Sequence, residues 1–136
     1  MLDAKTQKRK DENELSHEVI GAAIDVHREL GPGLLESIYE ACMSIELHSR
    51  GLRHERQRAI PVYYKGIRVD LDYRLDLLVE RSVVVEIKAV EAVPGVSAAQ
   101  LLTYLRLSKC RLGLLINFGR STLKEGIERV VNGLAD

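Results

Sequence analysis

The chain has 136 residues, within the roughly 100–200 of a single domain, and a chain near this size buries about 68–70% of its unfolded surface. Its 46% hydrophobic and 29% charged content excludes a wholly disordered protein. Twenty Lys and Arg balance twenty Asp and Glu, which excludes a grip on nucleic acid through bulk charge; such contact needs a local patch or a bound metal. No apolar run approaches the roughly 20 residues of a membrane span, and the N-terminus lacks the apolar stretch of a signal peptide. Cys42 and Cys110 stand alone without CxxC spacing, so neither a disulfide framework nor a zinc site is expected. The expectation is a soluble, cytoplasmic, single-domain protein.

In chain order, residues 1–13 are almost free of apolar side chains and carry Lys8-Arg9-Lys10; they read as a mobile polar and basic tail or as an arm that touches phosphates. The domain then runs over 14–136. Leu15, Val19, Ala22 or Ala23, Val26 and Leu30 have helical spacing, and Gly31-Pro32-Gly33 stops the helix. A second helix is expected from Leu34 to Arg50, with Leu35, Ile38, Cys42 and Ile45 on its apolar stripe and Gly51 as its stop. Ala59–Lys65 reads as a short edge strand because Pro61 cannot donate to a ladder, and Lys65-Gly66 makes a turn. From Val69 to Glu80 apolar and polar residues alternate, the sign of a strand with one face in the core. Glu80-Arg81-Ser82 turns into a strand over Val83–Val90. A helix over Ala98–Ser108 and a buried strand over Arg111–Phe118 follow, and Thr122 with Glu125 suggests a capping box for a last helix ending near Leu134. The order ααβββαβα implies an α/β (α+β mixed) fold, with a four-stranded mixed sheet flanked by helices.

The Val83–Val90 strand carries two opposite charges. Residues i and i+2 share a face, so Glu86 and Lys88 project together, away from Val83, Val85 and Ile87. Buried charges need a partner or a metal; a plain salt bridge and a reactive pair both satisfy that. Asp76 lies one hairpin away. A two-residue turn would send Asp76 and Glu86 to opposite faces, whereas a three-residue loop, Glu80-Arg81-Ser82, sets them opposite each other. The same register aligns Leu75, Leu77 and Val79 with Ile87, Val85 and Val83, so the odd loop or an equivalent bulge is expected. Carboxylates facing at about 4.5–5.5 Å repel unless a divalent cation lies between them.

Asp76 followed by Glu86-Ile87-Lys88 resembles the (P)D…(D/E)xK signature of the PD-(D/E)XK nuclease superfamily. Gly33-Leu-Leu-Glu36-Ser-Ile-Tyr39 matches the GxxExxY motif of a group of small proteins within it. The resemblance extends from about Glu14 to Leu134 and includes Pro61–Gly66, Asp76–Val79, Glu86–Val90 and Leu114–Gly119. It implies a restriction-endonuclease-like αβββαβ core with an extra N-terminal helix. It further implies that Asp76 and Glu86 bind Mg²⁺ or Mn²⁺ with the Ile87 backbone carbonyl as a third oxygen ligand, and that Glu36 reaches the same metal directly or through water, oxygen ligands suiting these hard ions. Lys88 would orient or deprotonate the attacking water and stabilise charge on the phosphate. Glu36 otherwise reads as an acid favoured by a helix's first turn. Tyr39 either touches substrate or packs in the core.

Gln100 and Tyr104 share a helix face, and their QxxxY spacing resembles the extra motif of RecB-type nucleases, where such a pair supports the metal site and the scissile phosphate. Ser97 with Gln100 is equally a capping box. Arg53 and Arg56, in the basic run 50–58, would hold phosphates, or simply solvate a helix end. The four histidines form no metal set. The function expected is metal-dependent phosphodiester hydrolysis, with DNA ahead of RNA as partner and substrate. The alternative is a nuclease-fold module that binds nucleic acid or protein with little or no turnover. A homodimer would give a neutral subunit a larger binding surface, and no membrane contact is expected.

Overall fold

Asp11 opens the first helix, α1 (Glu12–Leu30), by accepting the Glu14 N–H at 2.8 Å, and Gly31 ends it at φ 67°, donating to the His27 carbonyl. The computed structural model describes residues 10–69 and 73–134. Of the expected tail, residues 1–9 fall outside the described residues, while Glu12 and Asn13 already belong to α1. The corner 31–33 leads into α2 (Glu36–Ser49). The strands are β1 (His54–Ala59), β2 (Val62–Tyr64), β3 (Ile67–Val69), β4 (Arg74–Val79) and β5 (Val83–Lys88). Helix α3 (Val96–Ser108), β6 (Leu112–Asn117), a 3-10 turn over Lys124–Gly126 and β7 (Ile127–Val131) complete the chain.

The main sheet has the order β1-β4-β5-β6-β7, with β5 and β6 parallel and every other neighbour antiparallel. It is the expected α/β fold, a mixed sheet flanked by helices, consistent with a restriction-endonuclease-like architecture. Helices α1 and α2 cover one face, where Leu77, Val79, Val83, Val85, Ile87, Leu112, Leu114 and Ile116 meet Leu15, Val19, Tyr39, Met43 and Leu47. Helix α3 covers the other face through Leu101 and Leu105, against Leu78, Val84 and Leu115. The parallel strands β5 and β6 are therefore both buried on both sides, the usual condition of a parallel pair. Among the described residues no helix is long and apolar enough to cross a membrane.

Four expectations need correction. The sheet has five strands, because the segment expected as a last helix forms β7, paired with β6 from Leu112↔Val131 to Ile116↔Ile127; no Thr122 capping box forms. The basic run 50–58 is no helix end: most of it is β1, an edge strand paired with β4 from His54↔Val79 to Ala59↔Arg74. The Ala59–Lys65 strand is broken at Ile60-Pro61, and Val62–Tyr64 instead pairs with Ile67–Val69 in a separate two-stranded ribbon; the alternating run continues through 70–72, outside the described residues. Finally, α2 turns Tyr39, Glu40, Met43 and Leu47 inward, leaving Leu35, Ile38 and Ile45 exposed. Two stripes on α2 have helical spacing, and the one that stacks on Phe118 wins: Tyr39 lies 4.6 Å from that ring, nearly parallel to it.

Buried Asn117 ties the end of β5 to β6. Its side chain accepts from Val90 and Gly119 N–H and donates to the Val90 carbonyl, each at 2.8–3.0 Å. A Cβ at Gly119 would lie 2.4 Å from the Val90 carbonyl oxygen, so only glycine permits this approach. Asn117→Ala leaves these backbone groups without partners. It is expected to lower stability by about 3 kcal/mol, read as a lower urea midpoint at unchanged m-value.

Candidate active site

The site forms where β4 departs from a regular ladder. The three-residue loop Glu80-Arg81-Ser82 is present, and the register runs Val79↔Val83, Leu78↔Val84, Leu77↔Val85. The next pair would be Asp76 and Glu86. There the side chains replace the ladder: the Glu86 carboxylate accepts the Asp76 N–H at 3.3 Å, and the Asp76 carboxylate accepts the Ile87 N–H at 2.9 Å. Alternation breaks at the same place. Leu75 packs with Leu78 on the α3 side rather than beside Leu77, which corrects the expectation that Leu75, Leu77 and Val79 share one face. Across β1, Gln57 stands opposite Asp76 in the register and has φ 50°. A bulge-like irregularity of this kind re-aims a side chain.

Gln57 is the hinge of the site. Its side-chain amide donates to the Glu40 carboxylate at 2.6 Å and to Asp76 at 3.2 Å, and Arg56 Nε donates to Glu40 at 3.1 Å. Two acids from different elements are thus held by one amide between them. Glu40 is buried, a position that an acid keeps only when paired.

Glu86 is 9% exposed, and burial together with the Asp76 charge pushes its carboxyl up to about 8, although Lys88 pulls the other way. Lys88 is half-buried. Tyr104 approaches from α3: burial, then the negative charge of Glu86, raises its phenol, and its ring meets Tyr73 edge-on at 5.3 Å.

The other expected residues are placed differently. Glu36 is exposed at the first turn of α2; Glu40, one turn on, reaches β1 and the Gln57 amide instead. Tyr39 is fully buried, its hydroxyl donating to the Gly31 carbonyl at 2.5 Å and accepting from the Leu34 N–H at 3.2 Å. It holds the 31–33 corner and presents nothing to a substrate. Arg53 precedes the His54↔Val79 pair at the far end of β1, where with His54, Glu80 and Arg81 it lines a separate groove. That is about 13 Å along the strand from Gln57. Arg56 is at the site, as the partner of Glu40. Gln100 is exposed, and the Ser97 capping box does not form because α3 begins at Val96 behind Gly95.

Among the described residues no three of His, Cys, Asp and Glu converge as a ready metal-ligand group. The geometry instead offers two apposed carboxylates, a lysine on the same strand, and an amide-linked third acid. Glu40 and Gln57 escaped the sequence reading, although an acid amid the stripe Tyr39, Met43 and Leu47 was a usable signal. The pairing predicts a contrast. Glu36→Gln is expected to shift stability by no more than about 0.5 kcal/mol, whereas Glu40→Ala strips Gln57 and Arg56 of their acceptor and costs about 2 kcal/mol. Chemical denaturation of both variants checks this.

A family model described as the PD-(D/E)XK nuclease superfamily matches residues 13–130. No curated protein and no solved structure gives a significant match.

Proposed function

Because the chain belongs to the PD-(D/E)XK nuclease superfamily, whose members generally use divalent metal ions, we propose that it hydrolyses phosphodiester bonds of nucleic acid, DNA ahead of RNA, with Mg²⁺ or Mn²⁺. Within the superfamily we group it with the small GxxExxY proteins, on Gly33, Glu36 and Tyr39. One observation carries the reading: Asp76 and Glu86 are bound to each other's strand in place of ladder bonds, with Lys88 beside them.

The residues suit a hard cation. Burial and the facing Asp76 charge hold a proton on Glu86, and a divalent ion would satisfy the same electrostatic demand. Asp76 and Glu86 would hold it, with the Ile87 carbonyl as a third oxygen. A cation bound there supplies Lewis acidity and lowers the pKa of bound water. Lys88 would orient an attacking water and offset charge growing on the phosphate. The Gln57 amide, fixed by Glu40, keeps the Asp76 carboxylate aimed. Tyr104 lines the α3 side, where it contacts substrate, and Arg56 meets a phosphate.

The competing reading, a module that binds nucleic acid without turnover, draws on the lack of a third converging ligand among the described residues. A cleavage panel over single-stranded, duplex and branched DNA and RNA decides between them. Products appearing with Mn²⁺ and vanishing with chelator are expected; binding without products under any metal supports the module and ends the hydrolase reading.

A further inference from the structure

The β2–β3 ribbon leaves the main sheet at the site's end of β1 and β4. Ile60 N–H still bonds the Tyr73 carbonyl, and Val62 follows Gln57 by five residues, about 17 Å of extended chain at most. Lys65 at φ 49° and Gly66 at φ 79° form its two-residue turn, both left-handed as such hairpins require. The expected Lys65-Gly66 turn is therefore present.

Its exposed side chains are unusual for such an element. An isolated two-stranded ribbon is marginal in water, and a free-standing one is usually polar. This one carries Tyr63 at 60% exposure, Tyr64 at 63% and Ile67 at 69%, with Val69 exposed as well. Pairing sets Tyr64 beside Ile67, and Tyr63 beside Arg68 on the other face. Each face thus presents one tyrosine, and the Lys65 ammonium sits 5.4 Å from the Tyr64 ring. The stretch 58–74 holds four basic and two acidic residues in a chain of zero net charge.

Exposed aromatic rings with interleaved cations match a nucleic-acid strand whose bases are unpaired, because the rings stack on base faces while the cations follow phosphates. A duplex groove fits less well, since its floor offers polar base edges and the Tyr64–Ile67–Val69 face is largely apolar. We propose that the ribbon is a stacking platform for unpaired bases, so that the adjoining site takes nucleic acid carrying a single-stranded segment. The second half rests on the hydrolase reading above; the binding half does not.

The test uses the full chain in chelator, so that no strand is cut, and follows anisotropy of a labelled single-stranded oligonucleotide, a blunt duplex of equal length and a base-free sugar-phosphate polymer. Wild type is expected to prefer the single strand. Tyr63→Ala and Tyr64→Ala should each weaken that binding by about 5-fold to 100-fold, while Tyr63→Phe and Tyr64→Phe, which keep the ring, stay within about 2-fold of wild type. Single-strand binding unchanged by the alanine variants, or equal binding of the base-free polymer, overturns the platform. So does loss of self-association in sedimentation with unchanged oligonucleotide binding, which would make the ribbon a contact between protein copies. Cleavage by wild type in Mn²⁺ is scored separately. Cleavage with tyrosine-independent binding condemns the platform alone; tyrosine-dependent binding without cleavage keeps the platform and removes the hydrolase.

Discussion

Replacing Lys88 with alanine is expected to reduce metal-dependent cleavage by about 100-fold to 10,000-fold, the range for losing a positioned proton-transfer or charge-stabilising group. Lys88 ends β5 only half-buried, so the fold should survive and far-UV circular dichroism should stay unchanged. Its charge also opposes the rise in the Glu86 pKa. Removing it therefore moves the Glu86 titration further up, and Mn²⁺ uptake should need a higher pH without being lost. A structural salt-bridge role would not divide the effects in this way. Undiminished cleavage by Lys88→Ala sinks the mechanism.

The central strands were readable because their burial is written in their composition. Val83, Val84 and Val85 admit few positions other than an inner strand, and counting the Glu80–Ser82 loop was enough to set the observed register. Elsewhere one pattern serves two structures. Ile127, Val130, Val131 and Leu134 fit helical spacing, yet β-branched residues also favour a strand, and β7 follows Gly126, where a Cβ would lie 2.3 Å from the Asn117 carbonyl oxygen. Strand β1, His-Glu-Arg-Gln-Arg-Ala, shows no apolar alternation because it is an edge strand largely exposed on both faces.

The site divides along the same line. Asp76, Glu86 and Lys88 stood out as charges within or beside buried strands, a local signal. Glu40 and Gln57 meet across two elements 17 positions apart, and the stripe of Tyr39, Met43 and Leu47 that points to Glu40 competes on α2 with a second stripe of helical spacing. Glu36 and Glu40 lie one turn apart; the inward turn of Tyr39, set by Phe118, decides for Glu40.

The stability of the metal-free protein should fall as pH rises from about 5 to about 8.5, because Glu86 is more readily protonated folded than unfolded. Burial first and the Asp76 charge second raise its carboxyl from 4.5 to about 8. The sign follows from proton counting. Below 4.5 both states hold the proton and its contribution is complete; between 4.5 and 8 the unfolded chain releases it while the folded chain keeps it, so stability declines. The slope is at most about 1.4 kcal/mol per pH unit. The Glu86 contribution is read as the difference between wild type and Glu86→Gln, whose curve should be flatter. Added Mg²⁺ or Mn²⁺ should restore wild-type stability at the alkaline end, where the carboxylate is free to bind, and do nothing for Glu86→Gln. Metal affinity should accordingly rise about tenfold per pH unit below about 8, measurable by calorimetry. Coincident wild-type and Glu86→Gln profiles would show that no proton is held at this carboxylate, and would remove the electrostatic reason for a cation between Asp76 and Glu86.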